Sequence, residues 1–149
     1  MNLLRRLLIF LLAWILSLRY RIHIQGLESL RGLKGVLVIP QHPAYADPPI
    51  ALSAVFPVLE PRPMLLARVF HNPLLFWMPR VLNALEIPDM EGQSTQARAQ
   101  AQQAVAQVIE GLKRGENFIL WPSGKVQRQP YESLGAARGL ADIVQAVPR

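Results

Sequence analysis

The sequence predicts an α/β fold in which a mainly parallel or mixed sheet is flanked by helices. Two short, continuous apolar runs, at residues 35–40 and 117–121, have the composition of strands that are buried on both faces. Between them, residues 94–115 carry apolar side chains at spacings of three and four, which is the period of an amphipathic helix. Alternating strands and helices are typical of layered α/β domains. In such sheets, the loops at the carboxyl ends of the strands carry the chemistry.

The remaining elements follow from equally local patterns. Residues 21–25 alternate polar and apolar side chains, which predicts a half-exposed strand that ends at Gly26. Ser94 and Thr95 supply an amino-terminal cap for the long helix, and Gly115 ends it. The other predicted elements are a helix over 50–56, a strand over 63–67, a helix over 74–85 that Pro79 kinks or splits, a strand stub over 86–88 and a helix over 136–145.

Composition narrows the class of protein. The chain has 149 residues, of which 51% are hydrophobic and 17% charged, so it fits one ordered domain. A net charge of +6 suits an anionic partner. Because the sequence has no basic–aromatic run, zinc pattern or RNP-like stretch, we expect lipid headgroups rather than nucleic acid. The absence of cysteine excludes a thiolate nucleophile and a disulfide framework, and the three histidines lack metal-ligand spacing, so no metal is expected.

The amino-terminal segment, residues 1–19, contains an apolar run at residues 7–18 with arginines on both sides. A helix over this run is about 18 Å long at ~1.5 Å per residue, short of the roughly 30 Å hydrocarbon core. A cleaved signal peptide, a full membrane span and a buried core helix are alternative interpretations. The favoured interpretation is a membrane-associated helix that lies in one leaflet, with its arginines on lipid phosphates and Trp14 in the apolar layer.

The loop at residues 39–49 holds the first candidate site. His42 leaves a buried strand, and Asp47 follows five positions later at the start of a helix. Acyl transfer to a hydroxyl needs a base, and a neutral imidazole whose other nitrogen faces a carboxylate suits that role. The structural alternative is that Asp47 is a helix N-cap before Pro48 and that His42 only packs.

The loop at residues 118–128 holds the second candidate site. A strand that ends in Pro122-Ser123-Gly124 leaves backbone N–H groups free for an anion, with Lys125 and Arg128 close by. Such a nest suits a headgroup phosphate or the phosphates of an acyl carrier. The alternative is an ordinary turn.

Together and in order, these residues resemble the lysophospholipid acyltransferase family, typified by 1-acylglycerol-3-phosphate acyltransferase. Residues 18–30 and 35–48 look like the entry strands and the His-x4-Asp motif of that family. Its third motif, usually Phe-Pro-Glu-Gly, corresponds to Trp-Pro-Ser-Gly at residues 121–124. The resemblance covers most of the chain from Leu18 onward.

The resemblance implies a glycerolphosphate-acyltransferase-like layered fold, with an acyltransferase domain over residues 20–149. His42 would be the general base and Asp47 its partner, in O-acyl transfer of phospholipid biosynthesis. The donor substrate would be a CoA or acyl-carrier-protein thioester, with no metal and no cofactor. The substrate-binding residues would be Pro122, Ser123, Gly124, Lys125 and Arg128. Membrane lipids would be partners, at the cytoplasmic face of the cell membrane.

The sequence departs from the family pattern in its acceptor motifs. Ser123 stands where the family has Glu, and Lys125 begins the pair that replaces Thr-Arg. Residues 83–89 hold no Arg where the family has an acceptor-binding one, which leaves Arg80, Lys125 and Arg128 as substitute candidates. The Trp-Pro-Ser-Gly variant looks like acyltransferase domains that are fused to an acyl-activating ligase or another large lipid enzyme.

The carboxyl end of the sequence bears on whether the domain is complete and active. Residues 146–149 look like the entrance to a further strand, so we expect the domain to be incomplete at its carboxyl end. The main alternative to an active enzyme is therefore a catalytically inactive, truncated membrane-bound remnant. A basic lipid- or nucleic-acid-binding module without chemistry is a third possibility.

Overall fold

A computed structural model describes residues 2–88, 94–124, 126–129 and 138–147. Four strands form one sheet in the spatial order β1-β4-β2-β3, and every neighbouring pair runs parallel. The strands are β1 (Leu37–Val38), β2 (Arg62–Leu66), β3 (Leu85–Ile87) and β4 (Phe118–Ile119). The α/β class is confirmed, while the sheet that the described residues form is parallel rather than mixed. The reason is that each connection between consecutive strands contains a helix, as a parallel crossover requires.

Six α-helices and one short 3-10 helix accompany the sheet in the described part of the chain. They are α1 (Asn2–Ser17), the 3-10 helix (Leu27–Leu30), α2 (Asp47–Leu59), α3 (Ala67–Phe70), α4 (Trp77–Leu82), α5 (Thr95–Lys113) and α6 (Arg138–Ala146). Helix α5 begins as predicted, because the Ser94 hydroxyl accepts the Ala97 N–H at 3.0 Å. The predicted last helix is found as α6, and residues 136 and 137 of that prediction lie outside the described residues.

Strand β4 lies between β1 and β2 and divides the core into two parts. The side chains of Phe118 and Leu120 belong to a cluster with α5 and α6. Those of Ile119 and Trp121 belong to a cluster with α1, α2 and α4. Side chains of an extended chain alternate between the two faces of a sheet, so this separation follows from the period of the backbone. It places Trp121 on the face of the sheet that α1 and α2 cover.

Two predictions of local structure are wrong. Residues 21–25 form no strand: they are exposed, have no regular secondary structure and do not pair with the described sheet. Alternation alone predicted that strand, but a strand also needs a partner for its backbone N–H and C=O groups. The helix predicted over 74–85 is limited to α4. Pro79 lies in the first turn of α4, where a missing N–H costs no hydrogen bond.

Helix α1 packs on the domain through one side. Ile9 is only 4% exposed and belongs to the core cluster that contains Trp121. The Arg5 guanidinium donates to the Pro61 carbonyl at 2.9 Å and lies 4.6 Å from the centre of the Phe56 ring. Burial lowers the pKa of this guanidinium from its ordinary value. Over the described ranges, no helix has both the length and the apolar character to cross a bilayer.

Candidate active site

The site lies at the carboxyl edge of the sheet, where β1 and β4 end side by side. Because these strands are parallel neighbours, with Val38 opposite Ile119, the loops that follow them emerge at the same edge. The first of these loops carries His42 and the second begins at Leu120. The two candidate loops of the sequence are therefore neighbours in the structure.

His42 and Asp47 face each other across the first loop. The His42 Nδ1 atom lies 3.6 Å from Asp47 Oδ2, and the two side chains are 13% and 24% exposed. The Nδ1 atom is buried and makes no hydrogen bond with the described residues. The distance exceeds a normal hydrogen bond of about 2.7–3.2 Å, so the two groups are close neighbours that are not hydrogen-bonded here. The pair is sheltered yet reachable from solvent.

The Asp47 carboxylate holds the loop in its turn. Its Oδ2 atom accepts the Ala44 N–H, and the Asp47 N–H donates to the Ala44 carbonyl at 3.1 Å. Asp47 is the first residue of α2, whose N-cap is Ala46, so the interpretation of Asp47 as the N-cap is wrong. The prolines at positions 48 and 49 continue the first turn of α2. The backbone thus returns the carboxylate toward His42.

The second loop is joined to the first through Gln127, whose N–H donates to the His42 carbonyl at 2.9 Å. The Gly124 N–H donates to the Trp121 carbonyl at 3.1 Å, and Gly124 has a φ of +60°, which an L side chain rarely adopts. Pro122 and Ser123 are partly buried in this turn.

The other members of the predicted substrate-binding set lie toward solvent or outside the described part. Gly124 and Arg128 are exposed. Lys125 lies outside the described residues. Arg80, a substitute candidate for the acceptor, is exposed on α4, donates to the Phe76 carbonyl at 2.6 Å and lies over the Phe76 ring.

Sequence reasoning did not select Trp121 as a site residue. Its ring centre is 6.3 Å from that of His42, at an angle of 55°, within the range of aromatic pairs. The sequence contained a weak signal for this contact, because Trp121 ends a predicted buried strand and a large aromatic side chain there packs against the end of a neighbouring strand. The contact itself depends on the sheet order, which the sequence did not specify.

An apolar groove of about 290 Å³ extends from this edge of the sheet between α1, α2 and α4. Its lining is almost entirely hydrophobic and includes Leu8, Leu12, Leu52, Trp77, Met78 and Trp121. Pro48 and Pro49, which directly follow Asp47, also line it. The groove is therefore adjacent to the His42–Asp47 pair through Pro48 and Trp121, and its lining suits an apolar chain better than a polar one.

Comparison with known families decides the class of protein. Residues 21–148, most of the chain, match the model of the family described as acyltransferase. The chain belongs to the acyltransferase family. This is the family of lysophospholipid and glycerolphosphate acyltransferases, so the resemblance stated from the sequence is confirmed. Comparisons with curated proteins and with solved structures gave no significant match.

In this acyltransferase, the other two histidines lie outside the two loops. Of its other histidines, His71 places Nδ1 2.8 Å from the Ala67 carbonyl, and His23 lies in the exposed segment before Gly26. Within the described ranges, no three His, Asp or Glu side chains are grouped as metal ligands would be. The arrangement can supply a base, a carboxylate partner and an apolar surface beside them.

Proposed function

We propose that this acyltransferase transfers a fatty acyl group from a CoA or acyl-carrier-protein thioester to the hydroxyl of a lysophospholipid or related lipid. His42 is the general base, and Asp47 orients the imidazole and stabilises it when protonated. The observation that carries the proposal is the His42–Asp47 pair at the carboxyl edge of the sheet, beside the apolar groove. The product would enter phospholipid biosynthesis.

The step is a nucleophilic acyl substitution. The acceptor oxygen attacks the thioester carbonyl carbon while His42 takes the hydroxyl proton, and the carbonyl electron pair moves to oxygen. When this intermediate collapses, the carbon–sulfur bond breaks and the imidazolium returns the proton to the leaving thiolate. Atoms and charge balance without a further co-reactant, and both proton transfers pass through one imidazole.

The groove supports an apolar acyl substrate. Its volume of about 290 Å³ lies just below the range of ligand sites, which is roughly 300–1,000 Å³. Burial of an acyl chain there contributes about 0.8 kcal/mol per methylene, so apolar contact rather than charge would supply much of the binding free energy. The thioester carbon at the end of that chain would then lie near Pro48 and His42.

The exposed apolar surface supports action at a membrane. Leu75 and Trp77 line the groove and are also 39% and 44% exposed, so the apolar surface continues from the groove to the outside. On α1, Phe10 and Trp14 are 67% and 55% exposed. We propose that this side of the protein lies on the lipid surface, with α1 in one leaflet. A lipid acceptor would then reach the site without crossing water.

Acyl transfer from labelled acyl-CoA and acyl-carrier protein to a panel of lysolipids tests the proposed function. We expect His42→Ala to lower kcat by at least roughly 10²-fold, because the base is lost. His23→Ala is the matched control: it removes an exposed histidine outside the site and should leave kcat unchanged. A fully folded chain that transfers no acyl group, yet still binds vesicles, would instead support the inactive remnant.

A further inference from the structure

The indole of Trp121 contains a hydrogen-bond donor that the fold does not use. Trp121 is 8% exposed, and its Nε1 atom is fully buried with no acceptor among the described residues. By contrast, the indole N–H of Trp77 donates to the Leu74 carbonyl at 3.0 Å. An unpaired buried N–H destabilises the fold, so such a group calls for an explanation. One explanation is that its acceptor arrives with the substrate, whose entry would displace the side chains that now cover the N–H.

The position of Trp121 favours the reacting end of the acyl donor as that acceptor. Its ring packs beside the His42 ring and also lines the apolar groove. The side chain therefore joins the proposed base to the proposed acyl site. Suppose that the acyl chain fills the groove and that the thioester carbon faces the acceptor hydroxyl beside His42. The thioester carbonyl oxygen would then lie close to Trp121.

We propose that the Trp121 N–H donates a hydrogen bond to the thioester carbonyl oxygen and stabilises the negative charge that develops there during attack. This inference rests on the proposed function, since it assigns a role within the same reaction. A donor aimed at the oxygen is stronger in the transition state than in the ground state, because the oxygen charge grows.

The substitution Trp121→Phe removes the N–H and keeps an aromatic ring. We expect kcat to fall by roughly 10²–10³-fold, as for loss of one oxyanion donor, with the KM for the acyl donor within about threefold. Trp121→Leu removes the ring as well, so it should also raise KM through lost packing. Thermal unfolding of each variant shows whether the fold is kept. An active, folded Trp121→Phe variant with an unchanged kcat would overturn the inference.

A binding measurement tests the hydrogen bond without catalysis. The full chain is labelled with ¹⁵N at its three indoles, and the Trp121 signal is assigned with the Trp121→Phe variant. Two unreactive acyl-CoA analogues are then added. In one, a methylene replaces sulfur and the carbonyl remains; in the other, a thioether has no carbonyl. We expect a downfield shift of the Trp121 indole proton with the ketone only.

The outcomes separate the inference from the function on which it rests. Equal shifts with both analogues would show that the N–H does not meet the carbonyl, and would overturn the inference even in an active enzyme. If the unmodified chain binds neither analogue and transfers no acyl group, the proposed function fails first. If the ketone analogue shifts the Trp121 indole signal and Trp121→Phe lowers kcat, the proposed function and the inference are both supported.

Discussion

At the scale of single residues, Asp47 combines a role in the turn that the structure shows with a catalytic role that we propose, and the two need different chemistry. Its carboxylate accepts the Ala44 N–H, which holds the turn, and it faces His42 Nδ1. The first role needs only an oxygen acceptor, whereas stabilising an imidazolium needs negative charge. A substitution that keeps the acceptor and removes the charge should therefore separate the two.

We expect Asp47→Asn to lower kcat by roughly 10²–10⁴-fold and to leave the melting temperature almost unchanged, because the amide oxygen still accepts the Ala44 N–H. Asp47→Ala should lose the same activity and in addition about 1–2 kcal/mol of unfolding free energy, since the turn loses its acceptor. Kinetics and urea unfolding of both variants check this. Equal stabilities of the Asn and Ala variants would contradict the assigned role in the turn.

Glu116 makes the stability of the protein depend on pH, and its two arginine partners determine the direction of that dependence. Its hydrogen bonds from Arg114, at 2.7 Å, and from Arg62, at 2.8 Å, lower the pKa of the Glu116 carboxyl in the folded state. In the unfolded chain the Glu pKa is about 4.3, so between that pH and the lower pKa of the folded state the unfolded chain binds more protons than the folded one. The stabilisation is complete above that unfolded value and is lost as pH falls through the lower folded value.

Accordingly, Glu116→Gln should lower the unfolding free energy by about 1 kcal/mol at pH 7, and the difference from the unmodified chain should shrink toward pH 3. Glu110→Gln is the matched control, because the Glu110–Lys113 pair is longer, at 3.5 Å, and more than half exposed on both sides. Its effect should stay below about 0.5 kcal/mol. Urea unfolding at both pH values checks this, and a pH-independent cost at Glu116 would contradict it.

At the scale of the element, Gly111 lets α5 approach β4 closely. A Cβ atom at Gly111 would lie 2.6 Å from the Phe118 ring, closer than atoms can pack, and Phe118 itself is fully buried. Helix propensity alone favours Ala over Gly by about 1 kcal/mol. The steric overlap with the Phe118 ring would instead destabilise the Ala variant, and in a packed core this effect is larger than the gain in helix propensity.

We therefore expect Gly111→Ala to destabilise the protein by roughly 1–3 kcal/mol even though it is a better helix residue. Ala106→Gly, on the exposed side of α5, is the matched control that reports propensity alone and should cost about 1 kcal/mol. Urea unfolding gives both values. A Gly111→Ala variant that is more stable than the unmodified chain would show that the ring moves aside at little cost.

Elements were predictable from sequence where a local pattern determines them. The two apolar runs contain β1 and β4, although only β4 is buried and the side chains of β1 are partly exposed. Ser94 marks the start of α5, because capping is a local requirement. The strand predicted at residues 21–25 is absent from the sheet, because strand pairing depends on residues that are distant in sequence. The His42–Asp47 pair was predictable from its spacing. The contact with Trp121 was not, because it depends on β4 lying next to β1.

At the scale of the whole molecule, the two faces of the sheet differ in what they present to solvent. The face covered by α1, α2 and α4 has the groove and the exposed apolar side chains of α1, including Phe10 and Trp14. The other face is covered by α5 and α6, where Val144 is exposed on α6. With a net charge of +6, the protein should be attracted to anionic lipid, and the apolar side should decide its orientation.

We expect sedimentation with phosphatidylglycerol vesicles to exceed that with phosphatidylcholine vesicles, and to weaken as salt rises because surface charges are screened. The double substitution Phe10→Ser with Trp14→Ser should lower vesicle binding by at least roughly tenfold, since about 1.5–3 kcal/mol of apolar burial is lost per large side chain. Val144→Ser removes an exposed apolar side chain from the opposite face, so it should leave vesicle binding unchanged. If Val144→Ser weakens binding as much as the double substitution on α1, the proposed orientation on the membrane is wrong.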